Sequence, residues 1–301
     1  MSRIDADDWI PVEMGSDVLN RVLQTSAVEA VGRHENMRAA VYDVPRYGAA
    51  TTYVLNKGDE YVDDTTLLDN VRLEARKFTN ALVVAEEDLE DANADILSTH
   101  MLSAATSYAI HFDSAALGTT AVANGKTVPF TSVYKSVASG NKLASNAVTY
   151  TNLSDTLALV EGGQYWSDAD TVIVAHPKFK SVLRGIVDSN GRPIFVEGLA
   201  GTPSTLFGYN VAFSFGAITS ATASATPGGA GGTTAGAAGN PLLIAGNRQH
   251  LIVGDRTPLE WRLDESVNAR TDEPFLRMRA RKGFAVGRPE AFGILEVTKS
   301  A

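Results

Sequence analysis

Apolar residues recur at three- and four-residue steps in two stretches of the amino-terminal third. Over Asp17–Val31 the stripe is Val18, Leu19, Val22, Leu23 and Ala27, which predicts a helix with Ser16 as N-cap and Gly32 closing it. Over Glu86–Leu117 it is Leu97, Met101, Ala104, Tyr108, Phe112 and Ala115, closed by Gly118. That spacing predicts one long helix, a rod of about 45 Å at ~1.5 Å per residue. Six acids (Glu86, Glu87, Asp88, Glu90, Asp91, Asp95) crowd its start, where the helix dipole favours negative charge. Between the two helices the pattern is β-like. Met37–Val44 reads as a strand ended by Pro45 and Thr51–Asn56 as a second, followed by a turn at Asn56-Lys57-Gly58-Asp59. Val71–Thr79 alternates Val71, Leu73 and Ala75 with Arg72, Glu74 and Arg76. Residues 46–78 thus predict a long polar hairpin with few core positions. Ordering its backbone costs about 1–2 kcal/mol per residue, which its own burial does not offset. The missing burial calls for a partner surface.

After an irregular stretch from Gly118 to Tyr150, α and β segments alternate. The pattern predicts a helix over Asn152–Val160, a buried strand over Thr171–Ala175, a helix over Pro177–Val187 and a strand over Val211–Phe215. Of the 24 residues of Ala217–Asn240, 21 are Ala, Gly, Ser or Thr, which predicts a mobile surface loop rather than core. Strands follow over Leu242–Ala245, Leu251–Val253, Leu259–Leu263, Phe275–Lys282, Ala285–Val286 and Phe292–Val297. The fold class is α+β.

The 301 residues contain no Cys, which excludes disulfide scaffolds, thiolate metal sites and a thiol nucleophile. A formal charge of -9 argues against a general nucleic-acid binder, which needs a clustered positive surface. The charge is uneven: residues 1–117 hold 21 acids and 9 bases, residues 118–301 hold 14 acids and 17 bases. Such a contrast can serve contacts between copies of the chain, or be plain surface composition. Three Asp within Ile4–Trp9 rule out a signal peptide at the start, and no apolar run is long enough for a membrane span.

No catalytic motif survives inspection. Gly125-Lys126-Thr127 has Thr120 where a phosphate loop needs Gly, and Val128-Pro129 where it needs a helix. The five histidines (His34, His100, His111, His176, His250) lack metal-ligand spacing. The pairs Glu86/Glu87 and Asp63/Asp64 read as a helix start and a solvated turn rather than a hydrolase dyad. In Phe275–Lys282, Arg277, Arg279 and Arg281 alternate with Leu276, Met278 and Ala280, so three guanidinium groups share one strand face. The expected use of this ladder is to face Asp59, Glu60, Asp63 and Asp64 of another copy, with Lys57, Arg72 and Arg76 as further contacts on the hairpin.

Four stretches carry a family likeness: Thr171-Val-Ile-Val-Ala-His-Pro177, Asp188-Ser-Asn-Gly-Arg-Pro193, Gly201-Thr-Pro-Ser-Thr-Leu-Phe-Gly-Tyr-Asn-Val211 and Arg279-Ala-Arg-Lys-Gly-Phe-Ala-Val-Gly-Arg-Pro-Glu-Ala-Phe292. With the order of elements, they give a chain that resembles the major capsid (head) proteins of tailed bacteriophages, of the Hong Kong 97 type. The resemblance implies an N-terminal arm (1–33) and a peripheral domain (34–117) with an extended loop (about 46–78) and a spine helix (86–117). It further implies an axial domain (118–258), with C-terminal strands (259–301) completing the peripheral domain. The implied function is a structural one: self-assembly through pentamers and hexamers into an icosahedral shell around double-stranded viral DNA, held without sequence-specific binding. The implied partners are portal and scaffolding proteins and a decoration protein; the implied place is the virion, assembled in the host cytoplasm. No cofactor, metal or membrane is implied. Some family members begin with a long cleavable scaffolding segment, where only a short arm precedes the hairpin here; the segment is either absent, with a separate scaffolding protein, or removed. Some join subunits through a Lys–Asn bond, for which Lys57 and Asn268 are the residues to consider beside the plainer reading of a solvated turn lysine. An encapsulin compartment shell is the alternative, and an α/β enzyme acting on a small molecule the third reading.

Overall fold

The computed structural model describes residues 25–64, 68–91, 95–188, 190–198, 202–223, 234–264 and 271–298. In chain order its elements are α1 (Ala27–Val31), β1 (Arg33–Asn36), β2 (Val41–Tyr47), β3 (Leu68–Glu74), β4 (Arg76–Val83), α2 (Glu86–Asp91), α3 (Ile96–Asp113), α4 (Val133–Ser136), β5 (Lys142–Ser145), α5 (Tyr150–Glu161), β6 (Thr171–Ala175), α6 (Phe179–Leu183), β7 (Phe195–Val196), β8 (Ser204–Leu206), β9 (Tyr209–Phe213), β10 (Leu242–Asn247), β11 (Leu251–Asp264), β12 (Phe275–Val286) and β13 (Phe292–Val297). They form a four-stranded sheet ordered β1-β11-β12-β4, a seven-stranded sheet ordered β5-β13-β10-β6-β9-β8-β7, and the hairpin β2-β3.

The larger sheet is covered on both faces. Leu242 and Ile244 of β10 join one cluster with Phe292 and Ile294, while Leu243 and Ala245 join another with Leu153, Leu157 and Phe179 of the helices. Strands buried on both faces read as continuous apolar runs, which is the pattern of β6 (Thr-Val-Ile-Val-Ala). The first cluster also takes in Tyr108 and Phe112 of α3 and Met278, Ala280 and Phe284 of β12. One core therefore fuses both sheets to α3. Because β13 pairs with β10 and β5, the C-terminal residues divide between the two sheets.

Several expected elements change. The helix expected over Asp17–Val31 exists in the described residues only as α1; the rest of it, with Ser16, lies outside them. The cap is Ser26, whose extended backbone (φ -67°, ψ 124°) stops the helix while its hydroxyl accepts from the Glu29 N–H. The long helix is two. Asp95 leaves the helical path and accepts from Ser98 N–H, so α3 starts there anew and the acidic run before it makes the short α2. Three acids (Glu86, Glu87, Asp88) do occupy the first turn of α2. α3 closes in a π-turn, Ser114–Gly118, against which residues 216–218 cross closely. A Cβ at Gly118 would lie 1.9 Å from the Ile218 carbonyl oxygen, and one at Gly216 would lie 2.6 Å from Asp113 Cβ. Only glycines allow that approach.

Of the expected strand over Met37–Val44 only Val41–Val44 is strand, as part of β2, which runs on through Pro45, while β1 precedes it; Thr51–Asn56 forms no strand and has no ladder partner among the described residues. α6 is shorter than expected, since Pro177 and Lys178 form a turn before it. Leu251–Val253 and Leu259–Leu263 merge into β11, whose pairing with β12 shifts register between Asp255 and Thr257 and between Thr257 and Glu260. The expected surface loop over Ala217–Asn240 has buried stems, Ala217, Ile218, Thr219 and Asn240; its residues 224–233 lie outside those described. Glu296, 2% exposed, anchors the returning stem by accepting from Gly236 N–H (2.5 Å) and the Asn240 amide (2.5 Å).

Candidate assembly surfaces

The hairpin is rooted firmly and then leaves the body. β2 and β3 pair in unbroken register from Val41↔Glu74 to Tyr47↔Leu68. Their root is held by a small cluster of Met37, Leu73 and Ile252, with Val44, Val71, Ala75 and, on β12, Ala285 around it. Arg46 adds a hydrogen bond to the Gly287 carbonyl (3.0 Å) and an ion pair with Asp69, and Arg288 donates to the Tyr47 carbonyl. Beyond the root every residue from 49 to 64 is exposed. Thr51 N–H donates to Asp64 and Asn56 N–H to Asp59, both at 2.8 Å, and Gly58 takes φ 100° in the turn beside Lys57. These contacts shape the loop without burying it.

This excursion is less polar than its sequence suggests. Tyr47, Tyr53, Val54, Leu55, Tyr61, Val62 and Leu68 are all exposed, Val54 at 98% and Tyr61 at 95%. A contiguous set of large apolar side chains on one protruding element marks an interaction site. Burying one of the aliphatic ones is worth about 1.5–3 kcal/mol.

The second surface is the open face of the four-stranded sheet. Phe78, Met278 and Ala280 point toward α3, and the opposite face shows Lys77 and Thr79 of β4 and Arg277 and Arg279 of β12. Cross-strand register places Lys77 opposite Arg281 and Arg262 opposite Arg277. Like charges directly opposite each other destabilise a sheet. Two of the ladder arginines also meet acids of their own chain, Arg279 with Glu260 (2.9 Å) and Arg277 with Asp264 (3.7 Å). The expected facing of the ladder and Asp59, Glu60, Asp63 and Asp64 is therefore not its only pairing, because β11 supplies acids in register. Asp59 and Asp64 meanwhile serve backbone N–H groups of the loop. Arg72 and Arg76 sit at the hairpin root beside Glu74 (3.6 and 2.5 Å). Lys57, Glu60 and Asp63 are exposed along the loop. Asn268 lies outside the described residues.

The third feature, a buried junction, carried no sequence signal. Asp113, 1% exposed, ends α3 and accepts four hydrogen bonds. Ser26 Oγ (2.5 Å) and Val28 N–H (3.2 Å) donate to one carboxylate oxygen, Ala27 N–H (2.9 Å) and Ser214 Oγ (2.5 Å) to the other. Burial pushes its carboxyl up to about 6, against the downward pull of those donors. One side chain thus ties the start of α1, the end of α3 and the turn after β9. Nearby, Glu29 of α1 accepts from Tyr108 (2.7 Å) and pairs with Lys282 (3.1 Å), which also pairs with Asp255 (2.5 Å). His34 bridges Asp255 (2.5 Å) and the Glu29 carbonyl (2.7 Å). Burial opposes the His34 charge, but these two acceptors hold its pKa above the usual value. This half-buried network binds the amino-terminal segment to β11, β12 and α3.

His176 is buried, its Nδ1 accepts from Lys178 N–H (3.1 Å), and burial with the Lys178 charge pushes its pKa down to about 4. Among the described residues no group of three His, Asp or Glu side chains is placed to hold a metal ion. Among the described residues no helix is long and apolar enough to cross a membrane.

Comparison with known proteins adds three findings. The sequence matches the phage capsid family over residues 7–297. It is 22% identical over 206 residues to a probable major capsid protein, gp17, of Mycobacterium phage D29, a match covering 66% of this chain and 61% of that relative's length. Its fold is similar to solved structures from Mycobacterium phage Bobi (TM-score 0.72, 15% identity, 98% of both chains) and Microbacterium phage Oxtober96 (TM-score 0.69, 17% identity, 98% of both chains). It is similar as well to the capsid of an empty GTA particle computed with C5 symmetry (TM-score 0.65, 16% identity, 97% of both chains).

Proposed function

The chain belongs to the phage capsid family, and on that premise we propose that it is a major capsid protein whose copies close into the icosahedral head shell around double-stranded viral DNA. The observation that carries this reading is the exposed run 49–64, whose tyrosines and valines are left to water by the protomer. In a shell each such loop lies on a neighbour, and many modest contacts repeated over a closed surface add up to a stable container. Family membership and the phage likenesses favour this over an encapsulin shell or an enzyme, and the role is structural.

In the proposed shell, residues 1–33 are the arm, 34–117 with the strands from 259 onward, except β13, the peripheral domain, and 118–258 with β13 in its sheet the axial domain, meeting its copies in pentamers and hexamers. The overall charge of -9 suits a wall that must not hold packaged DNA tightly. Portal, scaffolding and decoration proteins are its expected partners, and the host cytoplasm the place of assembly. Electron microscopy of the purified protein tests the reading. Closed shells are the expected result; a small soluble oligomer with no shells overturns it.

The basic sheet face is the proposed seat for the acidic hairpin of a neighbour. Its intrachain pairs are exposed and worth only about 0–1 kcal/mol each, so they do not account for five cations on one face. Arg279→Glu is expected to leave the protomer's unfolding midpoint nearly unchanged and to cut shell yield at least tenfold. The double variant Arg279→Glu/Glu260→Arg restores the pair within the chain. Recovery of shells by that swap would limit Arg279 to an intrachain role.

A further inference from the structure

The two edges of the four-stranded sheet are treated differently by the sequence. One is blunted: β1 covers only Ile252–Asp255, and β11 beyond it carries Pro258 and two register shifts. Proline and bulges of this kind keep foreign strands from adding to an edge. The other edge, β4, runs eight residues against β12 in unbroken register, from Arg76↔Lys282 to Val83↔Phe275, with no Pro, Gly or bulge. Among the described residues β4 pairs with β12 alone. Its outer N–H and C=O groups form a straight, regular template.

A strand without a sheet lies elsewhere in the same chain. Thr-Thr-Tyr-Val-Leu-Asn, residues 51–56, has strong β propensity and no strand partner. Its end amides, Thr51 and Asn56, are used within the loop, while those of Thr52 to Leu55 find no backbone partner among the described residues.

We infer that the outer edge of β4 receives Thr51–Asn56 of a second copy as an added strand, so that backbone ladders and not side-chain contacts alone join neighbouring subunits. Charge decides between the edges as well. Lys77 lies on β4, with Arg279 and Arg281 on the next strand, and Asp59, Glu60 and Asp63 follow the donated segment directly. Main-chain bonds supply affinity in such β-augmentation, and the flanking charges fix its direction. The inference rests on the shell reading, but specifies the edge and the strand.

Hydrogen exchange on the unaltered full-length protein, assembled and unassembled, tests it. Alternate amides within 52–55 and alternate amides of β4 are expected to slow by roughly 100-fold or more on assembly, because a laddered N–H exchanges only on opening. Shells whose amides at 52–55 and along β4 exchange at the unassembled rate overturn the inference and leave the shell reading standing; absence of shells strikes the shell reading itself. The chain has no Cys, so engineered pairs identify the edge. Val54→Cys combined with Thr79→Cys or Ala81→Cys is expected to give covalent multimers on oxidation of assembled particles. Multimers from Val54→Cys with Thr257→Cys, on the blunted side, and none from the β4 pairs would overturn it.

Discussion

Replacing residues 48–67 by Asn-Gly leaves the protomer folded and abolishes shell formation. Tyr47 and Leu68 are register partners, so a two-residue type I′ turn closes the shortened hairpin without moving its root. Within the deleted stretch residues 49–64 are exposed throughout and add nothing to the buried core, and the anchoring side chains Met37, Leu73 and Ile252 are retained. The unfolding midpoint is therefore expected to shift by no more than about 3 °C, equivalent to roughly 1 kcal/mol. Assembly loses Tyr53, Val54, Tyr61 and Val62 from every interface at once, and particles should fall below detection by electron microscopy. A variant that unfolds cooperatively near the wild-type temperature and still forms normal shells would remove the hairpin from the assembly account.

Asp113→Asn carries the largest expected cost to the protomer itself. Each carboxylate oxygen accepts two hydrogen bonds, and an amide keeps one oxygen while turning an NH2 toward the two remaining donors. Two buried donors without acceptors cost about 2–4 kcal/mol, which lowers the midpoint of a domain this size by roughly 5–12 °C. Burial raises the folded-state pKa to about 6, above the ordinary 3.8. The folded state therefore holds a proton that the unfolded chain has released between those values. Stability from this group is greatest below about pH 4, falls as pH rises to about 6 and is level above. Asparagine has no such titration. The stability gap between wild type and variant is expected to widen on going from pH 7 to pH 4, measured by thermal unfolding of the two proteins in parallel. A gap constant with pH would mean that the carboxyl is not driven upward by its burial.

His34 loses its contribution in the same direction, as pH rises, but over a higher range. Its raised pKa gives stability that is fully present below about 6.5 and disappears as pH rises through the folded value. His34→Gln is accordingly expected to matter more at pH 5 than at pH 8. Because the ring is partly exposed, the effect is well under that of Asp113.

How much of this was legible in the sequence depends on how local the signal was. β6 and β13 occupy the expected residues, since a strand buried on both faces writes itself as an uninterrupted apolar run. The resemblance placed the family from four short stretches and the order of elements. The long helix was misread because Asp95, the cap that restarts it, is hidden among six acids that all suit a helix start. The Ser26 cap carried no distinct sequence signal, because it sits inside a longer apolar periodicity and the Asp113 contact that fixes it is remote in sequence. Asp113 itself was invisible: its donors lie 87 and 101 residues away. The like-charge pairs needed register as well as alternation. Arg277, Arg279 and Arg281 could be read as one face from their spacing, but Lys77 and Arg262 joined them only once β4 and β11 were aligned beside β12.

The core that fuses α3 to both sheets has a geometric corollary for a closed particle. A tile welded through its middle, with glycines so tightly crossed at the end of α3 that no methyl group fits, resists bending at that junction. Fivefold corners and sixfold facets demand different tilts between adjoining tiles. In the proposed shell the bending needed to meet both is expected to fall on the slender limb beyond Tyr47, with curvature set by how that limb lies on its neighbour.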